Sequence, residues 1–165
     1  MRSNSTKQIA LGGMLAAVAV VIMCLGGFIP IATYACPMLC CMTLFVVLQF
    51  CGKRLGWAWF MVVAILSLIF GPDKEAAMVF LAIGYYPLIK PVIEKTKLGF
   101  LLKFLFFNIS ITVVYAVMIY LMGMQEVAAE NMEFGIVGLV VILLLGNITF
   151  VLLDKLLSVL ARKIR

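Results

Sequence analysis

Charged residues are absent from Gln8 to Gly52, a run of 45 positions. Further uncharged stretches cover 55–72, 76–89, 104–125 and 134–153. A soluble domain of this size needs a charged face on nearly every element, and these stretches offer none. The solvent they are built for is a lipid bilayer. The first run is too long for one crossing. It divides at Gly26-Gly27-Phe28-Ile29-Pro30, because a glycine pair followed by proline stops a helix and suits a short loop. Six spans result, roughly 8–28, 34–51, 55–71, 76–93, 98–122 and 134–160. The pattern predicts an all-α integral membrane protein, a single transmembrane domain over 1–165 built as a six-transmembrane-helix bundle. The third span is short for a hydrocarbon core about 30 Å thick at about 1.5 Å per residue, which predicts local thinning or shelter by its neighbours.

Composition agrees. With 165 residues, 66% of them hydrophobic, the chain has room for one helical bundle and no segment that reads as an appended soluble domain. Arg2 and Lys7 before an apolar run resemble the start of a signal peptide. The uncharged core that follows exceeds the roughly 7–15 residues of such a segment, so a retained first helix is expected.

Laid onto six spans, the charges separate by side. Arg2, Lys7, Lys53, Arg54, Lys90, Lys95, Lys97, Lys103, Lys155, Arg162, Lys163 and Arg165 fall together, and only Lys74 lies opposite, accompanied by Asp73, Glu75, Glu126, Glu130 and Glu133. By the positive-inside rule both termini are expected to be cytoplasmic and the acidic loops external. Trp57 and Trp59 then enter the third helix at the inner interface, where aromatic belts form. The net charge of +6 is thereby explained by topology and anionic lipid, and a nucleic-acid partner is not expected.

The chain contains no histidine, which removes the usual player in Ser/His proteolysis, in many metal sites and in most acid–base schemes. No carboxylate or lysine is expected at mid-membrane depth, as a proton-coupled antiporter would need. No enzymatic activity is expected. Cys36 and Cys40 lie one helical turn apart with Met38 and Met42 nearby, and soft sulfur ligands suit Cu(I). The plainer expectation is that these side chains are adaptable apolar fillers. A Cys36–Cys40 disulfide is disfavoured by the geometry of a helical i, i+4 pair.

Gly12, Gly13, Ala16 and Ala17 form two overlapping small-xxx-small patterns, which let another backbone approach closely either within the bundle or from a partner. Gly71-Pro72-Asp73-Lys74-Glu75 is a tight polar turn in which Asp73 or Glu75 can cap the fourth helix, or form the rim of an outward pocket. Pro87 and Pro91 should kink that helix and free backbone carbonyls. Tyr85 and Tyr86 must face different ways, so one of them reaches the interior, where a hydroxyl on an aromatic plate suits a flat ligand or a neighbouring carbonyl. Asn108 and Asn147 sit in Asn-Ile-Ser/Thr sequences within spans, which excludes glycosylation. On antiparallel fifth and sixth helices they fall level, about 8–10 Å above the inner boundary, and should bond to each other.

Six short helices, cytoplasmic ends and the N-terminal run Thr6-Lys7-Gln8-Ile9-Ala10-Leu11-Gly12-Gly13-Met14-Leu15-Ala16-Ala17 resemble the substrate-binding S components of energy-coupling factor transporters. The resemblance implies capture of a vitamin, a related micronutrient or a metal ion at the outer face of a bacterial plasma membrane. Delivery would follow by toppling. It implies docking through the first helix, by an Ala-x-x-x-Ala motif, onto a transmembrane coupling protein driven by two ATPase subunits. Here Gly12 and Gly13 replace the first alanine of the pairs completed by Ala16 and Ala17. The family's binding region maps onto Tyr34, Asp73, Lys74, Glu75, Tyr85, Tyr115 and Tyr120. Metal-specific members use an N-terminal histidine, absent here, so the implied substrate is a small organic molecule. No cofactor is implied, and without a Gly-x-x-x-x-Gly-Lys-Ser/Thr motif the chain needs partners to use ATP. The competing expectations are a membrane scaffold of the MreD cell-shape type and a lipid-handling protein. Cysteines introduced at position 74 and at position 163 should label from opposite sides of the membrane; labelling from the same side overturns the even number of crossings.

Overall fold

The computed structural model describes residues 2–26, 32–96, 98–120 and 135–164. Every element among them is a helix: α1 (Arg2–Gly26), α2 (Ala32–Phe70), α3 (Lys74–Ile83), α4 (Tyr86–Ile93), α5 (Gly99–Tyr120) and α6 (Gly135–Ile164). Five stretches are long and apolar enough to cross a membrane, α3 and α4 counting as one. The chain forms two compact units, Met1–Lys97 and Leu98–Arg165. The expected outer acids Glu126, Glu130 and Glu133 lie outside the described residues.

The expected second and third spans follow one another directly within α2 as two helical arms that meet at Gly52 with no loop between them. A straight helix of 39 residues would be about 58 Å long. Yet the Thr33 hydroxyl, near the start of α2, donates to Asp73 Oδ2 at 2.9 Å, three residues beyond its end. The chain must therefore turn back, and it does so at Gly52, whose φ of 82° and ψ of 172° are open to glycine but strained for any residue with a Cβ. Contacts with α1 fix the directions. Gln8 Nε2 donates to Phe50 O at 3.1 Å, Cys40 Sγ to Ala19 O at 3.5 Å, and Cys24 Sγ to Phe70 O at 3.9 Å. The first arm of α2 thus runs antiparallel to α1 and the second returns beside it.

α1 is apolar all round, so polarity does not select its buried face. Gly12, Ala16, Ala19 and Met23 are buried, whereas Ile9, Met14, Val18, Val21 and Leu25 are exposed. A Cβ on Gly12 would stand 3.1 Å from Leu55 Cδ2, and one on Gly56 only 2.6 Å from Leu48 Cδ2. Small residues let the helices close, as expected where lipid removes the hydrophobic contrast.

The kink expected from the prolines is present, as a break between α3 and α4. Pro87 has no N–H for Ile83 O, and Leu88 N donates to Tyr85 O at 3.0 Å instead of reaching Gly84. The two carbonyls this frees meet one thiol: Cys41 Sγ lies 3.9 Å from both Ile83 O and Gly84 O. Cys51 donates likewise to Gln8 O at 3.3 Å, so four of the five free thiols bond to carbonyls of other helices. The cysteines act as apolar filler with a weak donor attached.

In the second unit α5 and α6 run antiparallel, joined by three successive contacts. Lys103 Nζ bonds Asp154 Oδ2 at 2.9 Å, the Phe107 and Phe150 rings stack at 4.7 Å, and Asn108 and Asn147 exchange amide hydrogen bonds at 3.1 and 3.3 Å. The asparagine pair is the one expected from sequence. Lys103 and Asp154, placed by sequence at the inner boundary, lie inside the apolar helical stretches, where each makes the other tolerable. Asn108→Leu or Asn147→Leu alone should destabilise the protein by about 0.6–2 kcal/mol, since each removes the interhelical partner of the other amide. The double Leu variant should recover most of that loss in thermal unfolding in detergent.

Candidate functional site

Within the first unit the residues singled out by sequence do not gather at one place. In the first unit, Tyr34, Asp73, Lys74 and Glu75 lie at the end opposite the Gly52 turn, all half-buried. Asp73 is the N-cap of α3: Oδ1 accepts from Ala76 N at 3.0 Å while Oδ2 takes the Thr33 hydroxyl. Glu75 sits in the first turn of that helix, where a negative charge is favoured by the helix dipole. The Lys74 ammonium reaches back to the last turn of α2, donating to Leu68 O at 2.7 Å and Ile69 O at 3.5 Å. The expected capping role is therefore filled, by Asp73. Neither charge is solvated only.

Tyr85 is elsewhere. Twelve residues of mostly helical chain, about 18 Å, separate it from Asp73. It stacks on Trp57 with ring centroids 6.4 Å apart and meets Phe60 edge-on at 5.8 Å. Trp57 is only five residues past the Gly52 turn, so Tyr85 belongs to the half of the unit nearer that turn. Of the tyrosine pair it is Tyr86 that reaches the interior, fully buried, with Lys90 Nζ 5.9 Å above its ring. Lys90 is itself buried and bonds Glu94 at 3.1 Å. Sequence assigned Lys90 to the inner surface and did not anticipate its burial. Tyr115 is half-buried and Tyr120 exposed on α5, in the second unit.

The two small-residue patterns on α1 separate by face. Gly12 and Ala16 are buried against the second arm of α2. Gly13 and Ala17 are exposed, and a Cβ on Gly13 would meet nothing within 4 Å.

Two polar atoms stand out for a different reason. The Ser67 hydroxyl and the Trp59 indole N–H are buried without a hydrogen-bond partner among the described residues. Such groups call for an ordered water or a ligand atom, because an unmade buried hydrogen bond is costly. Ser67 lies six residues before Asp73, beside the last turn of α2 that Lys74 covers. A single serine inside an apolar run carries no signal by which sequence could have selected it. Among the described residues no group of three or more Cys, Asp or Glu side chains is placed to hold a metal ion.

No protein-family model, curated protein or solved structure matches this chain. Its chemistry must be argued from its own residues.

Asp73 allows capping and ligand binding to be separated. Asparagine caps a helix about as well as aspartate, whereas alanine costs about 1 kcal/mol. Asp73→Ala should lower the unfolding temperature, and Asp73→Asn should leave it near wild type. Thermal unfolding in detergent checks both.

Proposed function

We propose that this protein is a substrate-capture subunit of an energy-coupling-factor-type importer. It crosses the bacterial plasma membrane six times, its two ends are cytoplasmic, and it binds a small polar or zwitterionic molecule at the outer face. The observation that carries this reading is the division of α1. One small-residue pair, Gly12 with Ala16, is used for internal packing, and the second, Gly13 with Ala17, is open on the outward surface of the same helix. A helix that serves only the bundle has no need of the second pair. An open small-residue face suits close approach by a helix of another protein.

Further support comes from the end of the first unit that carries both charge signs. Asp73 and Lys74 are held there by fixed hydrogen bonds, and Ser67 is buried below them with a hydroxyl still to be satisfied. Preformed polar groups around an apolar interior are what a small-molecule site requires. The Gly52 reversal supports counting α2 as two crossings, which gives an even number and puts the basic positions on one side. In this reading the transmembrane coupling protein and two ATPase subunits supply the energy. The chain itself performs no catalysis.

One observation favours a second reading, a non-catalytic scaffold. Asp73 and Lys74 both have complete structural roles, so the outer cluster would exist without any ligand. The two readings part on the exposed face of α1. Gly13→Leu points into open space and should leave unfolding temperature unchanged while abolishing ATP-driven uptake and the recovery of ATPase activity with the purified protein. Gly12→Leu should instead destabilise the fold by pressing on Leu55. Unchanged uptake in the Gly13→Leu variant overturns the importer reading. Mass spectrometry of the small molecules that copurify with the wild-type protein identifies the substrate.

A further inference from the structure

The end of the first unit at the Gly52 turn collects Lys7, Lys53, Arg54, Lys90 and Lys95. Contacts of Gln8 with Phe50 and Cys51 bring the start of α1 to this turn, and the Trp57–Tyr85 stack sets α4 running toward it. The acid described at this end, Glu94, is already bonded to Lys90. Lys7, Lys53, Arg54 and Lys95 are exposed and make no side-chain hydrogen bond or ion pair among the described residues. Lys74, Lys90 and Lys103 behave differently: Lys74 covers helix-end carbonyls, Lys90 pairs with Glu94, and Lys103 pairs with Asp154, whereas Lys155 and Lys163 of the second unit are exposed in the same way as the four. Unpaired like charges on one small surface repel one another, and that cost is relieved by an anion from outside the protein.

The geometry points to a glycerophospholipid with an anionic headgroup, seated on the face shared by Lys53, Arg54 and Trp57. Those three residues are spaced i, i+1 and i+4, so Trp57 lies one helical turn above the two cations. Lys53 and Arg54 meet the headgroup phosphate from the turn. Trp57, 47% exposed, lies at the level of the glycerol and the first acyl carbons, its inner side braced by Tyr85. Charge below and an indole above match a lipid, whose phosphate and apolar chains are covalently joined. A free anion would use the cations and leave the indole without a role.

The chain carries its own probe. It has two tryptophans, and Trp59 is buried at 3% exposure, so contact quenching from lipid reports on Trp57. The full-length protein is reconstituted in phosphatidylcholine vesicles containing a small fraction of brominated phosphatidylglycerol, or the same fraction of brominated phosphatidylcholine. The brominated phosphatidylglycerol should quench more strongly. That preference should fall about fivefold for each cation removed in Lys53→Gln and the double variant Lys53→Gln/Arg54→Gln. Quenching by brominated phosphatidylcholine should be the same in wild type and variants, which also verifies that the variants insert and fold. Equal quenching by the two brominated lipids in the wild type overturns the proposal. So does recovery of fluorescence on adding millimolar inorganic phosphate, which would make the site one for free anions. Absence of quenching by either lipid would instead refute the membrane assignment itself.

Discussion

Close approach of backbones is the constraint on which the first unit depends. In water a helix declares its buried face by polarity, because apolar area gains by leaving solvent. α1 has no such contrast, and large aliphatic side chains occupy its exposed face. Its buried face is the one that carries Gly12, Ala16 and Ala19, while the equally small Gly13 and Ala17 stay exposed. Glycine and alanine at 12, 16 and 19 let the two arms of α2 come near enough for thiols and amides to reach carbonyls of the opposite helix. If those positions were bulky, the hydrogen bonds between Gln8 and Phe50 and between Cys40 and Ala19 would be lost along with the packing.

Most buried polar groups of the first unit are handled on the same terms, by a partner close by, with the Ser67 hydroxyl and the Trp59 indole as exceptions. The break at Pro87 exposes two carbonyls in the interior, and Cys41 answers them with a weak donor that costs little to bury. The second unit uses stronger pairs because α5 and α6 meet along a narrower seam, with an ion pair, a ring stack and an amide pair at successive levels. Amide pairs and ion pairs between helices in lipid fix register, since a slip by one residue would break each interhelical bond.

What was legible in the sequence follows from this. Uncharged runs gave the helices, because the length of a crossing is set by the bilayer. The Asn108–Asn147 pair could be foreseen because two rigid antiparallel helices convert distance from the last charge into depth. Asp73 was legible as a cap from its place before α3. The reversal at Gly52 fell where Lys53 and Arg54 interrupt the apolar run, yet its form, a helical hairpin turned on one glycine, depends on a backbone conformation that composition does not encode. Tyr85 was grouped with Asp73 only through the family resemblance, and twelve residues of mostly helical chain hold the two apart. The division of the small residues on α1 was also hidden. Positions 12 and 13 are equivalent in every local property, and only the neighbour at Leu55 distinguishes them.

The structural duties of Asp73 and Lys74 do not remove them from recognition. A carboxylate offers about four acceptor positions and an ammonium three donors. Ala76 N and Thr33 take two of the positions on Asp73, and the carbonyls of Leu68 and Ile69 take two of the donors on Lys74. The remainder is held in a fixed direction by those same bonds. Under the proposed function a ligand at this turn would meet both signs of charge already oriented, with less side-chain entropy to overcome than on free surface chains. The turn between α2 and α3 is thereby the clamp that closes the hairpin against α3.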